Sequence, residues 1–132
     1  MVLYKGVRIT DTYFTGHKAV IYPSLVRSVS AICRVDRSVG SFYIGVASGP
    51  DHLTALKRRI DTKKIERMVS TMYLLYRSSS EYNTRSLENW LIEHYRSIKP
   101  DARLWNSAAG GGGRWGTGPH FFLYLAASRL PG

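Results

Sequence analysis

A β-hairpin predicted near the middle of the chain most constrains the fold. Residues 31–35, Ala-Ile-Cys-Arg-Val, predict a short strand, and residues 41–47 predict a second strand in which apolar and polar side chains alternate. The turn-rich sequence Asp-Arg-Ser-Val-Gly lies between them at residues 36–40. Strands joined by so short a connection pair antiparallel. The hairpin therefore predicts a sheet onto which the later helices pack.

Helix and strand patterns alternate downstream of the hairpin. Residues 48–51, Ser-Gly-Pro-Asp, carry a helix-start signal, because proline suits the first turn and an acidic residue favours the helix dipole. The predicted elements are a helix over 51–60, a short helix over 63–70, a strand over 71–78, a helix from a cap at Asn83 or Thr84 to Ile98 ahead of Pro100, and a strand over 121–127. These elements predict an α/β (α+β) fold, a small three-stranded antiparallel sheet flanked by helices.

The length of 132 residues predicts one domain with a single core. Residues 31–132 form the predicted domain, and residues 1–30 are predicted to be an N-terminal extension packed on it, as an edge strand or a wrap around the core. Four consecutive glycines, at 110–113, are predicted to form a loop within the domain because a bulky apolar strand follows them.

A large excess of basic residues indicates a polyanionic partner. Lys and Arg number 19 against 9 Asp and Glu, which gives a formal charge of +10 and a pI near 10.1. The alternative is a basic surface with no particular ligand. No apolar run is long enough to span a membrane, and no signal peptide is evident. One cysteine excludes an intrachain disulfide and suits an intracellular place, cytoplasmic or nuclear.

Four ordered features resemble the GIY-YIG nuclease family over roughly residues 28–126. The family's second triplet is present in full as Tyr43-Ile44-Gly45, and residues 31–33, Ala-Ile-Cys, occupy the place of the first triplet, Gly-Ile-Tyr. The family's helical arginine matches Arg59 in the sequence Leu-Lys-Arg-Arg-Ile. Its glutamate matches Glu88 in Leu-Glu-Asn-Trp-Leu-Ile, and its asparagine matches Asn106, after the turn at Pro100.

The resemblance implies hydrolysis of phosphodiester bonds in DNA with Mg²⁺ or Mn²⁺, and leaves RNA open as a substrate. It implies that Tyr43, Arg59 and Glu88 are catalytic and that Glu88 binds the metal. The expected substrate contacts are Lys57, Lys63, Asn106 and Arg114. The alternative is a catalytically impaired nucleic-acid-binding module with the same fold. A basic protein-interaction domain that uses the glycine-rich loop and Trp115 is a third possibility.

The helical periodicity predicts that Glu88 lies on the inward face of its helix. Leu87, Leu91, Tyr95 and Ile98 form the apolar stripe, and Glu88 falls between Tyr95 and Ile92. A buried carboxylate has to be paired, protonated or bound to a cation, because isolated burial of its charge is costly. Mg²⁺ suits such a site, since it uses one or two carboxylates and keeps several waters. A structural salt bridge is the alternative.

Arg59 flanks the apolar stripe of its own helix, whereas Arg58 points nearly opposite. We expect Arg59 to hold the scissile phosphate through its forked donors; a solvated basic helix face is the alternative. The Tyr43 hydroxyl would lie beside the attacking water. A phenol with an ordinary pKa near 10 is a poor base at neutral pH, so Tyr43 needs a nearby cation: Arg59, Lys57 or the metal.

Cys33 stands where the family has its first tyrosine. A thiol is a weak hydrogen-bond partner, so the role of that tyrosine is either missing or filled by Tyr13, Tyr22, Tyr76 or Tyr82. Loss of a proton-handling group costs about 10²- to 10⁴-fold in rate, which predicts a slow enzyme. Cys33→Tyr is then expected to raise cleavage.

Overall fold

A computed structural model describes residues 1–35, 39–62, 69–106 and 118–129. In chain order the elements are β1 (Val2–Tyr4), β2 (Val7–Ile9), α1 (Lys18–Val35), β3 (Val39–Gly49), α2 (His52–Thr62), β4 (Val69–Ser78), α3 (Glu81–Glu93), a π-helical turn (His94–Ile98) and β5 (His120–Arg129). No helix in these ranges is long and apolar enough to cross a membrane.

The five strands form one mixed sheet in the order β1-β2-β4-β5-β3. Strand β2 runs parallel to β4, and all other neighbours are antiparallel. The last strand in sequence, β5, therefore lies between β3 and β4 and pairs with both. The α+β class is confirmed, but the prediction of a three-stranded antiparallel sheet was wrong, because β1 and β2 extend the sheet beyond β4 and so cover its open edge.

The predicted strand over residues 31–35 is the end of helix α1, so the predicted hairpin was wrong. Leu25, Val29 and Cys33 recur at every fourth residue and are all buried, which is the pattern of an amphipathic helix. This long-range period outweighs the local β propensity of the five-residue stretch. Helix α1 also runs across residue 30, and its buried side chains belong to the core.

Most of the other predicted elements are confirmed: the helix over 51–60 as α2, the strand over 71–78 as β4, and the strands over 41–47 and 121–127 as β3 and β5. Helix α3 begins earlier than predicted, because Ser80 caps it by accepting a 3.1 Å bond from the Asn83 amide. It ends as an α-helix at Glu93. Of the predicted short helix over 63–70, residues 63–68 lie outside the described residues and 69–70 begin β4.

The sheet is covered on both faces. Helices α1 and α3 cover one face, where Leu25 and Leu91 pack with Phe42, Ile44 and Leu125. Helix α2 covers the other face, where Leu56 and Ile60 pack with Ala47, Phe122 and Tyr124. Successive residues of β3 and β5 alternate between the two faces, as the pleat of a strand requires. Tyr43 and Tyr124 consequently face α2.

Candidate active site

Strand β3 ends the sheet, and the 101–106 segment covers part of its outer edge. The Phe42 amide donates to the Arg103 carbonyl at 2.9 Å, and the Trp105 amide donates to the Phe42 carbonyl at 2.8 Å. Phe42 and Leu104 form a parallel β-bridge there. Without such partners the edge would expose backbone groups that pair readily with other strands. The segment thus closes the edge without adding a full strand.

Asn106 continues this edge pairing with its side chain. Its Oδ1 accepts from the Ile44 amide at 2.8 Å, and its Nδ2 donates to the Ile44 carbonyl at 2.9 Å. The carboxamide therefore takes the place of a peptide group in the ladder and fixes the middle of Tyr43-Ile44-Gly45. Both polar atoms of Asn106 are engaged with the backbone, so the geometry favours a positioning role over the predicted contact with substrate.

Arg59 binds the same edge one step further along the strand. Its Nε and Nη2 donate to the Val46 carbonyl at 3.1 and 2.8 Å. Because strand backbones alternate in direction, the carbonyls of Phe42, Ile44 and Val46 all point outward. Two of the guanidinium donors that we expect to hold a phosphate thus bond the backbone instead. The remaining N–H groups on Nη1 and Nη2 lie at the end of a partly exposed side chain. Arg58 is exposed, as predicted.

Tyr43 and Tyr124 meet above Gly45. Gly45 lies directly opposite Tyr124 in the β3–β5 register. A methyl group placed on Gly45 would lie 2.6 Å from the Tyr124 hydroxyl oxygen and 2.8 Å from Cε1 of Tyr43. Those distances are shorter than van der Waals contact, so only glycine lets the two phenols approach each other here. The glycine of Tyr43-Ile44-Gly45 therefore serves the packing of two tyrosines.

Tyr124 was missed by the sequence analysis, and Cys33 was wrongly placed. Cys33 lies buried on α1, and its carbonyl accepts from Arg103 at 3.0 Å. The tyrosine beside Tyr43 comes from β5 instead, and it is none of the four considered as substitutes. The alternation over residues 121–127 does place Tyr124 on one face with Phe122 and Ala126. Nothing local in that alternation indicates that β5 pairs with β3.

The surroundings of Tyr124 keep its phenol protonated. Burial is the main cause that raises its pKa above the ordinary value near 10; the Arg59 charge opposes this, and Tyr43 and Glu88 add to it. The electrostatic environment of the Tyr124 hydroxyl thus includes Arg59, Tyr43 and Glu88. At neutral pH Tyr124 can donate a hydrogen bond but does not act as a phenolate base.

Glu88 is 2% exposed on α3, and the prediction that it faces inward is confirmed. It interacts with other parts of the protein. Within the described ranges, no three His, Cys, Asp or Glu side chains cluster as a metal site. The oxygen donors of a carboxylate suit Mg²⁺ or Mn²⁺, but α3 packs on the sheet face opposite Tyr43, and the near-complete burial of Glu88 leaves little room for waters or substrate phosphates. Glu88 is the residue that would hold such an ion.

The other predicted contacts are scattered or lie elsewhere. Lys57 reaches toward β1, where its Nζ lies 5.2 Å from the centre of the Tyr4 ring. Lys63 and Arg114 lie outside the described residues, as do the four consecutive glycines. Trp105 was not among the predicted residues, yet it contacts Tyr43 edge to face with ring centres 6.0 Å apart.

Comparison with known proteins leaves the site to be interpreted from its own geometry. No protein-family model matches the chain, no curated protein matches its sequence, and no solved structure matches its fold.

Proposed function

We propose that the chain is a divalent-metal-dependent endonuclease, similar to GIY-YIG nucleases, that hydrolyses phosphodiester bonds in DNA. The observation that carries the proposal is the meeting of Tyr43 and Tyr124 over Gly45, with Arg59 anchored to the neighbouring residue, Val46. Tyr43 and Arg59 beside the β3 edge supply groups for a water and for a phosphate, and Tyr124 lies next to Tyr43 over Gly45. Tyr43 and Arg59 are also the residues that the sequence motifs predict.

The order of the strands in this proposal differs from the family's. In the resemblance, the two triplets lie on consecutive strands; here the strand paired with Tyr43-Ile44-Gly45 is β5, at the far end of the chain. We infer that β5 supplies the missing first tyrosine as Tyr124. The same spatial arrangement is then reached from a different order along the sequence, which accounts for the absence of a suitable tyrosine at Cys33.

Each group has a distinct role in this scheme. Tyr43 is partly exposed and would orient the attacking water, whereas Tyr124 is buried, remains neutral and would position the Tyr43 ring over Gly45. Arg59 would offset charge on the phosphoryl oxygens through the N–H groups that Val46 does not use. Glu88 would hold Mg²⁺ or Mn²⁺, which supplies Lewis acidity for the leaving oxygen. The protein contributes mainly positioning and electrostatics.

The excess of basic residues supports DNA as the substrate, and the single cysteine suits a place in the cytoplasm or nucleus. A charge of +10 attracts phosphates and releases counterions on binding. Affinity should therefore fall with salt at a slope of about −0.9 per neutralised phosphate on a log–log plot. A flat response would contradict every nucleic-acid function for this chain.

The direct test is cleavage of supercoiled plasmid with Mg²⁺ or Mn²⁺, with RNA assayed in parallel. Glu88→Gln and Arg59→Ala should each lower the rate by about 10²- to 10³-fold, the usual cost of losing one electrostatic contact to the transition state. The matched controls are Glu93→Gln, on the same helix as Glu88, and Arg58→Ala, on the same helix as Arg59. Equal cleavage by all five proteins would mean that the activity does not arise from this site.

A binding module without turnover is the second candidate. The near-complete burial of Glu88 favours it, because a metal ligand also has to reach the substrate. It predicts salt-dependent DNA binding that Glu88→Gln leaves unchanged, with no metal-dependent cleavage by the unmodified protein. Binding and cleavage measured on the same preparations separate the two functions.

A further inference from the structure

Trp105 is a large exposed aromatic residue on a rigidly held backbone. Its side chain is 54% exposed, yet its amide bonds the Phe42 carbonyl and the following residue, Asn106, bonds both backbone groups of Ile44. Exposure of so large an apolar ring has a cost in free energy. A mobile loop could carry the ring away from this edge, but these bonds hold its backbone in place.

The start of the same segment is held to the helices behind it. Arg103 forms an ion pair with Asp101, with 2.9 Å between Nη2 and Oδ2, and donates from Nη1 to the Cys33 carbonyl at the end of α1. The Asp101 amide also donates to the Tyr95 carbonyl at 2.9 Å. The indole is therefore presented by a backbone that is fixed on both sides.

The position of the ring relates it to the candidate active site. Trp105 contacts Tyr43 edge to face at 6.0 Å, with the ring planes 65° apart. It is anchored at Phe42, and Arg59 is anchored at Val46, four residues along the same edge. At about 3.3 Å per residue the two anchors are about 13 Å apart. That distance suits a nucleobase at Trp105 and a phosphate at Arg59 that belong to the same extended DNA strand.

We propose that Trp105 is a stacking platform for an unpaired nucleobase of the DNA strand whose phosphate Arg59 contacts. This proposal rests on the proposed function and deepens it, because it selects single-stranded or locally unpaired DNA as the substrate class. Bases stack on exposed aromatic rings largely without regard to sequence, and a basic surface holds the backbone beside them. A preordered ring makes this contact without a further loss of side-chain freedom.

The test uses a protein in which Trp105 is the only tryptophan, Trp90→Phe/Trp115→Phe, in a Glu88→Gln background without divalent metal. The probes are a short oligothymidylate and an abasic strand of equal length, which carry the same phosphate charge. We expect the oligothymidylate to quench Trp105 emission and to bind about ten- to a hundred-fold more tightly than the abasic strand. Adding Trp105→Phe should keep part of this preference, and adding Trp105→Leu should abolish it.

Three results would overturn the proposal, and each has a different consequence. Equal affinity for the two strands, with no change in Trp105 emission, would exclude the stacking platform and leave the nuclease proposal intact. Failure to bind either strand would contradict both proposals. A preference for thymidylate that survives Trp105→Leu would assign base recognition to another part of the chain and would also overturn this inference.

Discussion

The two faces of the sheet differ in what their buried side chains do. The face toward α1 and α3 is filled by aliphatic and aromatic groups such as Leu25, Leu87 and Leu91. The face toward α2 is covered by one eleven-residue helix and brings together Tyr43, Tyr124 and Arg59 near β3. One face therefore supplies most of the apolar packing, and the other carries the three residues, Tyr43, Tyr124 and Arg59, to which we assign roles at the candidate site.

Glu88 is the exception to this division. It is buried on α3 among the apolar residues of the first face, yet its charge acts on Tyr124, which packs on the second. Burial of a carboxylate costs free energy, and an apolar residue of similar size often serves stability better. The proposed metal site would account for this placement of Glu88, and a structural ion pair is the alternative. Substitutions on the two faces can test this division.

The largest expected difference is between the effects of substituting Leu91 and Tyr43 on stability and on cleavage. Leu91→Ala should lower the free energy of unfolding by about 2–5 kcal/mol, because it opens a cavity in the first face. The folded protein should still cleave DNA normally. Tyr43→Phe should change stability by less than about 1 kcal/mol while lowering cleavage. Denaturant unfolding and plasmid cleavage measure the two effects. A Tyr43→Phe protein that is stable and fully active would contradict a catalytic role for the second face.

Gly45→Ala should be costly on the second face. The added methyl group would lie within 2.8 Å of both tyrosine rings, so they have to move apart. We expect a loss of about 1–3 kcal/mol in unfolding free energy, together with lower cleavage. Gly49→Ala is the control, because there the methyl group would lie 3.3 Å from the Ala55 side chain, so a small shift suffices. Equal effects at the two glycines would contradict the tyrosine contact.

Cys33→Tyr should destabilise without activating. Cys33 lies in the packed first face on α1, so a larger ring overfills that core at a cost of about 1–3 kcal/mol. The sequence predicts an increase in cleavage for this variant. From the structure we expect no increase, because Tyr124 already occupies the position beside Tyr43. Higher cleavage in this variant, measured at equal folded concentration, would assign the role of the family's first tyrosine to position 33 and contradict the role of Tyr124.

Asn106→Ala should have a smaller effect that falls on the β3 edge. It removes both side-chain bonds to Ile44, and water can reach part of that edge, so we expect a loss of about 1–2 kcal/mol. Amide hydrogen exchange at Ile44 should speed up more than exchange in β4. Asn83→Ala on α3 is the control. Unchanged exchange at Ile44 would show that Asn106 does not fix the strand.

Local patterns in the sequence were enough to find most elements, but not the topology. Each of β3, α2, β4 and β5 follows from a short-range pattern of propensity and polarity. Helix α1 was missed because it contains Pro23 and because the helical spacing of Leu25, Val29 and Cys33 competes with a short β-prone stretch. The position of β5 between β3 and β4 depends on non-local pairing, which no local pattern encodes.

The candidate site divides in the same way. The burial of Glu88 and the exposure of Arg58 follow from helical periodicity, which a sequence shows directly. Tyr124 and Trp105 enter the site only through contacts with β3, from segments distant in the chain. The burial of residues on a helix was therefore predictable from the sequence. The residues that strand pairing brings to the site could be identified only from the structure.

The smallest expected effect is the pH dependence that Tyr124 gives to stability. Its folded pKa is raised, chiefly by burial, so the folded state keeps the phenolic proton above pH values at which the unfolded chain loses it. The stabilising contribution is full below about pH 10, the unfolded pKa, and is lost as pH rises toward the folded pKa. In that range one such group lowers unfolding free energy by up to about 1.4 kcal/mol per pH unit. Tyr124→Phe should lose stability less steeply between about pH 9 and pH 11. Tyr13→Phe, at an exposed tyrosine, should keep the slope of the unmodified protein. Parallel slopes for Tyr124→Phe and the unmodified protein would mean that the Tyr124 hydroxyl is not buried beside Gly45.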